Sequence, residues 1–119
     1  MKPESRDQAY LWDMLQAADE ARALCAGFSF ESIERDRRTL LALERLMELI
    51  GEAARRVSEE FQRAHPEIAW RKIIGLRNVL AHEYGRIDHR RLFLAATEDT
   101  ARLSATLKQI LSASGKHTK

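Results

Sequence analysis

Over residues 30–64 the apolar side chains recur at intervals of three and four, through Ile33, Leu40, Leu43, Met47, Ile50, Ala54, Val57 and Phe61. That spacing draws one stripe along a helix of 3.6 residues per turn. Leu41, Leu46, Leu49 and Ala53 widen the stripe beyond what one neighbour can cover. A helix apolar over so much of its girth belongs at the centre of a bundle, or at a subunit interface as well. The pattern predicts one long helix over residues 30–64, ended by His65-Pro66, because the residue before a proline is pushed out of helical geometry.

Three more helices flank it. The first runs over residues 7–26, with Ser5 or Asp7 as its cap and Gly27 as its stop. Tyr10, Leu11, Met14, Leu15, Ala18 and Ala21 form its stripe. The third starts near Glu67 or Trp70, carries Ile73, Ile74, Leu76, Val79 and Leu80, and stops between His82 and Tyr84, before Gly85. The fourth covers residues 88–111, with Asp88 as cap and Leu92, Leu94, Ala95, Leu103, Leu107, Ile110 and Leu111 turned inward. Residues 112–119 read as a frayed, disordered tail. Five glycines, two prolines and no strand-like alternation argue against a β fold. The expectation is therefore all-α: a single domain over residues 1–119, built as an antiparallel up-and-down helical bundle of four to five helices.

Cys25, alone in the chain, excludes an internal disulfide, and its neighbours Leu24 and Ala26 suggest a small packed residue. A reducing cytoplasm is the expected setting. No stretch approaches the roughly 18 to 20 apolar residues of a membrane span, and the first residues do not read as a signal peptide. Trp12 and Trp70 read as core anchors, and His65 and His89 as lone exposed imidazoles unsuited to zinc.

The net charge is only +2, but it is unevenly spread. Residues 1–30 carry three basic and five acidic side chains, a net of 3 − 5 = −2. Over residues 71–91, Arg71, Lys72, Arg77, Arg86, Arg90 and Arg91 face Glu83 and Asp88, a net of 6 − 2 = +4. A positive field gathered there suits a polyanion.

Within that region lies Arg77-Asn78-Val79-Leu80-Ala81-His82-Glu83-Tyr84. A guanidinium grips phosphate with two parallel hydrogen bonds, and an imidazole moves protons near neutral pH. Asn78 and His82, four apart, share one helix face, so the Asn78 amide is placed to fix the imidazole tautomer. RNA cleavage needs a base for the 2′-hydroxyl, an acid for the leaving 5′-oxygen and a cation for the charged transition state. One chain offers one His and one Arg here, whereas two chains about a two-fold axis offer two of each. DNA, lacking the 2′-hydroxyl, would be refused. Bland alternatives exist for each group: Arg77 pairing with a carboxylate of the second helix, His82 complementing a helix end, Tyr84 packing its ring.

Arg, a polar residue, three residues, His, one residue, Tyr resembles the signature of the HEPN superfamily, specifically of HepT-like toxins. Ile50-Gly51-Glu52-Ala53-Ala54 and the run from His65 to Asn78 resemble the same family, and the likeness extends over residues 8–112. The resemblance implies a homodimeric HEPN bundle and a metal-independent ribonuclease working at the dimer cleft without a cofactor. It implies Arg77 and His82 as the catalytic pair and Asn78 as the supporting polar residue, beside which the charge distribution adds Arg71, Lys72 and Arg86 as a basic RNA-binding rim. It further implies a type VII toxin–antitoxin system whose partner, an MntA-like nucleotidyltransferase, silences the toxin by transferring AMP to Tyr84. The alternative is a non-catalytic helical subunit that binds substrate or nucleotide for such an enzyme.

Overall fold

A computed structural model describes residues 5–82 and 87–113, and within them every regular element is helical. Helix α1, Ser5–Cys25, ends where expected: Gly27 takes a φ of 86°, a left-handed geometry open to glycine, and the chain turns there. Asp7 does not cap α1. It is buried, and its carboxylate instead accepts the Ser58 N–H at 2.9 Å and the Ser58 hydroxyl at 2.7 Å, so the start of α1 is tied to a turn 51 residues later.

The long helix expected over residues 30–64 is broken twice. It comprises α2 (Phe30–Glu34), α3 (Arg37–Arg56) and α4 (Glu59–Ala64). Asp36 makes the first break by accepting the Thr39 N–H at 3.1 Å as an N-cap. At the second, Val57 is extended and the Ser58 hydroxyl accepts the Phe61 N–H at 3.2 Å while Asp7 holds Ser58 in place. Both breaks leave the stripe intact, since Ile33, Leu43, Ile50, Val57 and Phe61 all remain buried. Periodicity therefore could not disclose them; the caps did the redirecting.

Helix α5, Trp70–His82, follows a turn in which Trp70 donates its indole N–H to the His65 carbonyl at 2.9 Å. His65 is not the exposed imidazole expected. It stacks on Phe61 with ring centroids 4.3 Å apart and its Nδ1 lies 2.9 Å from Glu67 Oε2. Trp70 is buried as expected, and Trp12 packs partly buried against the same core.

After Asp88, which caps as anticipated, come α6 (His89–Leu94), a π-helical turn (Ala95–Asp99) and α7 (Thr100–Ala113). Leu92, Ala96, Thr100 and Ser104 are all buried at a spacing of four. On an unbroken α-helix that spacing drifts about 40° per step, and the wider π turn absorbs the drift. Leu94, expected inward, is 45% exposed. Ser112 and Ala113 belong to α7, so the expected tail begins too early.

α3 packs on both α1 and α5, and α1 on α7. Asp7 opens α1 and meets Ser58 beyond the end of α3, so these two helices run antiparallel, and Lys72 in the first turn of α5 meets Asp99 at the end of the π turn, so α5 runs antiparallel to the α6–π segment. The central helix is therefore the one whose stripe was widest, though Leu41 and Leu49 keep 48% and 38% of their surface exposed. No helix among the described residues is long and apolar enough to cross a membrane. Cys25 is buried, and burial pushes its thiol upward, which suits a packing role.

Candidate functional site

Gly51 sits mid-helix on α3, where glycine weakens a helix unless something needs the space. A β-carbon there would fall 2.1 Å from Arg77 Cβ and 3.1 Å from the Ile73 carbonyl. The missing side chain lets α5 approach α3 at the point where Arg77 leaves the backbone. One residue on, Glu52 meets the guanidinium. Arg77 donates to Glu52 Oε2 through Nε at 2.7 Å and again through Nη2. Its Nη1 donates to Asn78 Oδ1 at 2.9 Å. Arg77 keeps 13% of its side-chain surface accessible and Glu52 26%.

The carboxylate of the second predicted helix that could pair with Arg77 is thus Glu52. Asn78 supports Arg77 rather than His82, because its oxygen faces the guanidinium beside it; no hydrogen bond joins it to the imidazole. His82 lies exposed in the last turn of α5. Tyr84 and Arg86 lie outside the described residues. Of the remaining rim, Arg71 is exposed, while Lys72 is held 2.9 Å from Asp99 Oδ2, and Oδ1 of the same carboxylate accepts from Arg102 at 2.7 Å. Lys72 borders a cleft of about 810 Å³ between α5 and the α6–α7 rod, floored by Met47, Ile50, Ile73, Leu76 and Leu103. No cluster of three or more His, Cys, Asp or Glu side chains able to hold a metal occurs among the described residues.

The hydrogen bond from Arg77 holds the Glu52 carboxyl below the usual glutamate range, with the charges of Arg77 and Arg55 adding to it against a smaller desolvation. Glu67 is lowered too, first by the hydrogen bond from His65 and then by its own backbone N–H. A depressed carboxylate binds protons less readily folded than unfolded. Its contribution is therefore complete above the ordinary glutamate value, about pH 4.3, and is lost as pH falls through the depressed folded value. Thermal melts from pH 7 to pH 3 should show stability falling below about pH 4.3, with a shallower fall in Glu52→Gln. An equally steep acid limb in that variant would show that the carboxylate carries none of it.

Gly51 and Glu52 stand in the family-like run Ile50-Gly51-Glu52-Ala53-Ala54, and the motif alone gives neither of them a role. The readable signal was a glycine inside an otherwise strong helix, which marks close backbone approach.

Comparison with known proteins agrees with the resemblance read from the motif. Residues 14–110 match the family described as ribonuclease HepT-like. A protein named probable ribonuclease HepT, from Thermococcus cleftensis, is 33% identical over 110 residues, covering 92% of this chain and 98% of the relative. A putative RNase of Caldanaerobacter subterraneus subsp. tengcongensis is 31% identical, with 86% and 91% covered. Another from Methanocaldococcus jannaschii is 29% identical, with 81% and 88% covered. No solved structure matches the chain. With four-fifths of its length matched and relatives aligned nearly end to end, this helical chain belongs to the HepT-like ribonuclease family.

Proposed function

We propose that this protein is a toxin of the HepT kind, a cytoplasmic endoribonuclease that cleaves RNA, tRNA or mRNA, without a metal ion. The observation that carries the reading is the seating of Arg77: a guanidinium fixed by Glu52 and Asn78, with donors to spare, one turn and a half before an exposed His82. In the reaction, a base removes the proton of a 2′-hydroxyl, whose oxygen attacks the adjacent phosphorus. The bond from phosphorus to the 5′-oxygen breaks, and an acid returns a proton to that oxygen. Arg77 steadies the charge gathering on the phosphoryl oxygens, and His82 handles a proton.

A second copy of the chain supplies the second imidazole. The homodimer is supported by the apolar surface that a lone protomer leaves bare at Leu41 and Leu49. Asn78 holds Arg77 in place, and Arg71, Lys72 and Arg86 form the flanking basic rim.

The deciding experiment is RNA cleavage in EDTA by the wild type beside His82→Ala. Cleavage is expected from the wild type alone, and equal cleavage by both ends the reading. A specific observation also favours a rival, a non-catalytic binding subunit: Arg77 is already engaged in an ion pair. The same assay separates the two, because a binding subunit cleaves nothing.

The switch is AMP transfer to Tyr84 by an MntA-like nucleotidyltransferase. The added phosphate brings bulk and negative charge near Arg77, where RNA phosphate would sit. Incubation with the partner, ATP and Mg²⁺ should add mass in AMP steps, absent from Tyr84→Phe. Mass that persists in that variant would place the modification elsewhere.

A further inference from the structure

A guanidinium has five N–H donors. In Arg77 three are committed: Nε and one hydrogen of Nη2 to Glu52 Oε2, and one hydrogen of Nη1 to Asn78 Oδ1. Because Nε and Nη2 share one acceptor, Glu52 takes the inner edge of the fork. The second hydrogen of Nη2 points along the outer edge, and one hydrogen of Nη1 is also left. Glu52 is itself anchored: its other oxygen, Oε1, accepts from Arg55 Nε at 3.4 Å and lies 3.9 Å from Arg56 Nη2. Gly51 sets the backbone spacing that makes the grip possible.

We propose that Glu52 is a positioning residue of the phosphodiester site: it clamps the inner edge of Arg77 and so aims the outer edge at the substrate phosphate. The inference rests on the reading of Arg77 and His82 as ribonuclease groups. Free in solution, an arginine side chain samples many rotamers, and much of its transition-state attraction is lost to ordering. Held at one edge and supported by Asn78, the fork is already aimed. Preset donors act most strongly where charge develops, so the effect falls on the chemical step more than on binding.

Glu52 has a second, opposing consequence. Its negative charge lies near the place of the substrate phosphate, so it weakly repels RNA in the ground state. A clamp and a mere fold support therefore differ in sign. Removing a clamp slows cleavage while RNA binding stays equal or tightens. Removing a fold support weakens both.

The test uses the full chain and total tRNA as probe. Cleavage is measured for the wild type, Glu52→Gln and Glu52→Asp. Binding of the same tRNA is followed by fluorescence anisotropy in a His82→Ala background, with and without Glu52→Gln. Glu52→Gln is expected to lower kcat roughly tenfold to a hundredfold, the size of loss that a small misplacement brings. tRNA binding should be unchanged or tighter, and Glu52→Asp should recover part of the rate. Faster cleavage by Glu52→Gln would make Glu52 a latch that competes with RNA, and overturn the proposal. So would an unchanged rate, or rate and binding lost together. Should Glu52→Gln fail to fold, Glu52→Asp decides: the aim requires a rate below wild type with binding retained, and a wild-type rate overturns it. A wild type that leaves RNA intact, or His82→Ala cleaving as well as wild type, removes the ribonuclease reading and this inference with it. An active wild type, inactive His82→Ala and fully active Glu52→Gln removes only the role of Glu52.

Discussion

RNA cleavage by His82→Ala is expected to fall by about 10² to 10⁴, the range over which a positioned acid or base accelerates a reaction. Its melting temperature should stay near that of the wild type. His82 is exposed in the last turn of α5 and bonds neither Arg77 nor Asn78, so its removal leaves packing untouched. Exposed substitutions of this kind change stability by about 0.5 kcal/mol or less. Arg77→Ala should be as inactive, through loss of the cation, with about 10² to 10³ at stake. It differs in stability. Arg77 is 13% accessible and is the main partner of Glu52, so its loss leaves a half-buried carboxylate short of donors. About 1 to 3 kcal/mol should go with it. In cells both variants should permit growth where the wild type inhibits it. His82→Ala remaining toxic would remove the acid–base mechanism, because no stability argument could account for it.

Gly51→Ala should lower both stability and activity, although alanine is the better helix former. The new β-carbon would lie 2.1 Å from Arg77 Cβ and 2.8 Å from Arg77 Cγ. Arg77 Cβ is the root of its side chain and moves only with α5 itself. Relief therefore requires α3 and α5 to separate, which loosens the packing of Ile50 and Leu76 and pulls Glu52 from Arg77. Overpacking of this sort costs about 1 to 3 kcal/mol, sometimes more. For a chain of this size that is a fall in Tm of roughly 4 °C or more. Cleavage should drop in the same variant even well below its melting temperature. A Gly51→Ala protein as stable as wild type would mean that the helices do not approach so closely in solution.

The two variants probe different levels of the molecule. His82 could be singled out from its place in a short motif, because its chemistry belongs to the side chain alone. Gly51 could not. Its importance depends on what stands opposite, and the residue opposite is 26 positions later.

That contrast extends over the whole chain. Periodicity made the helical class, the core stripe and the central position of the segment 30–64 legible, because burial of an apolar face imposes a local repeat wherever it occurs. The ends at Gly27 and Asp88 were legible because caps are local too. The breaks at Asp36 and Val57-Ser58 were not, since the stripe runs through both and one of them depends on Asp7, which arrives from the far end of α1. His65 was misjudged as exposed because its ring folds back on Phe61, four residues earlier in α4, and meets Glu67, which only the turn after Pro66 brings beside it.

By itself the sequence determined an all-helical chain, a basic region near the end of the third predicted helix, and a family signature holding Arg77 and His82. Only the tertiary structure decided that Glu52 grips Arg77, that Asn78 serves the guanidinium rather than the imidazole, and that Gly51 sets the spacing between them. The physical reason is reach. Helix formation and amphipathic burial act over a few residues and leave a repeat in the chain, whereas an ion pair between helices depends on their packing distance and angle, which no single segment encodes.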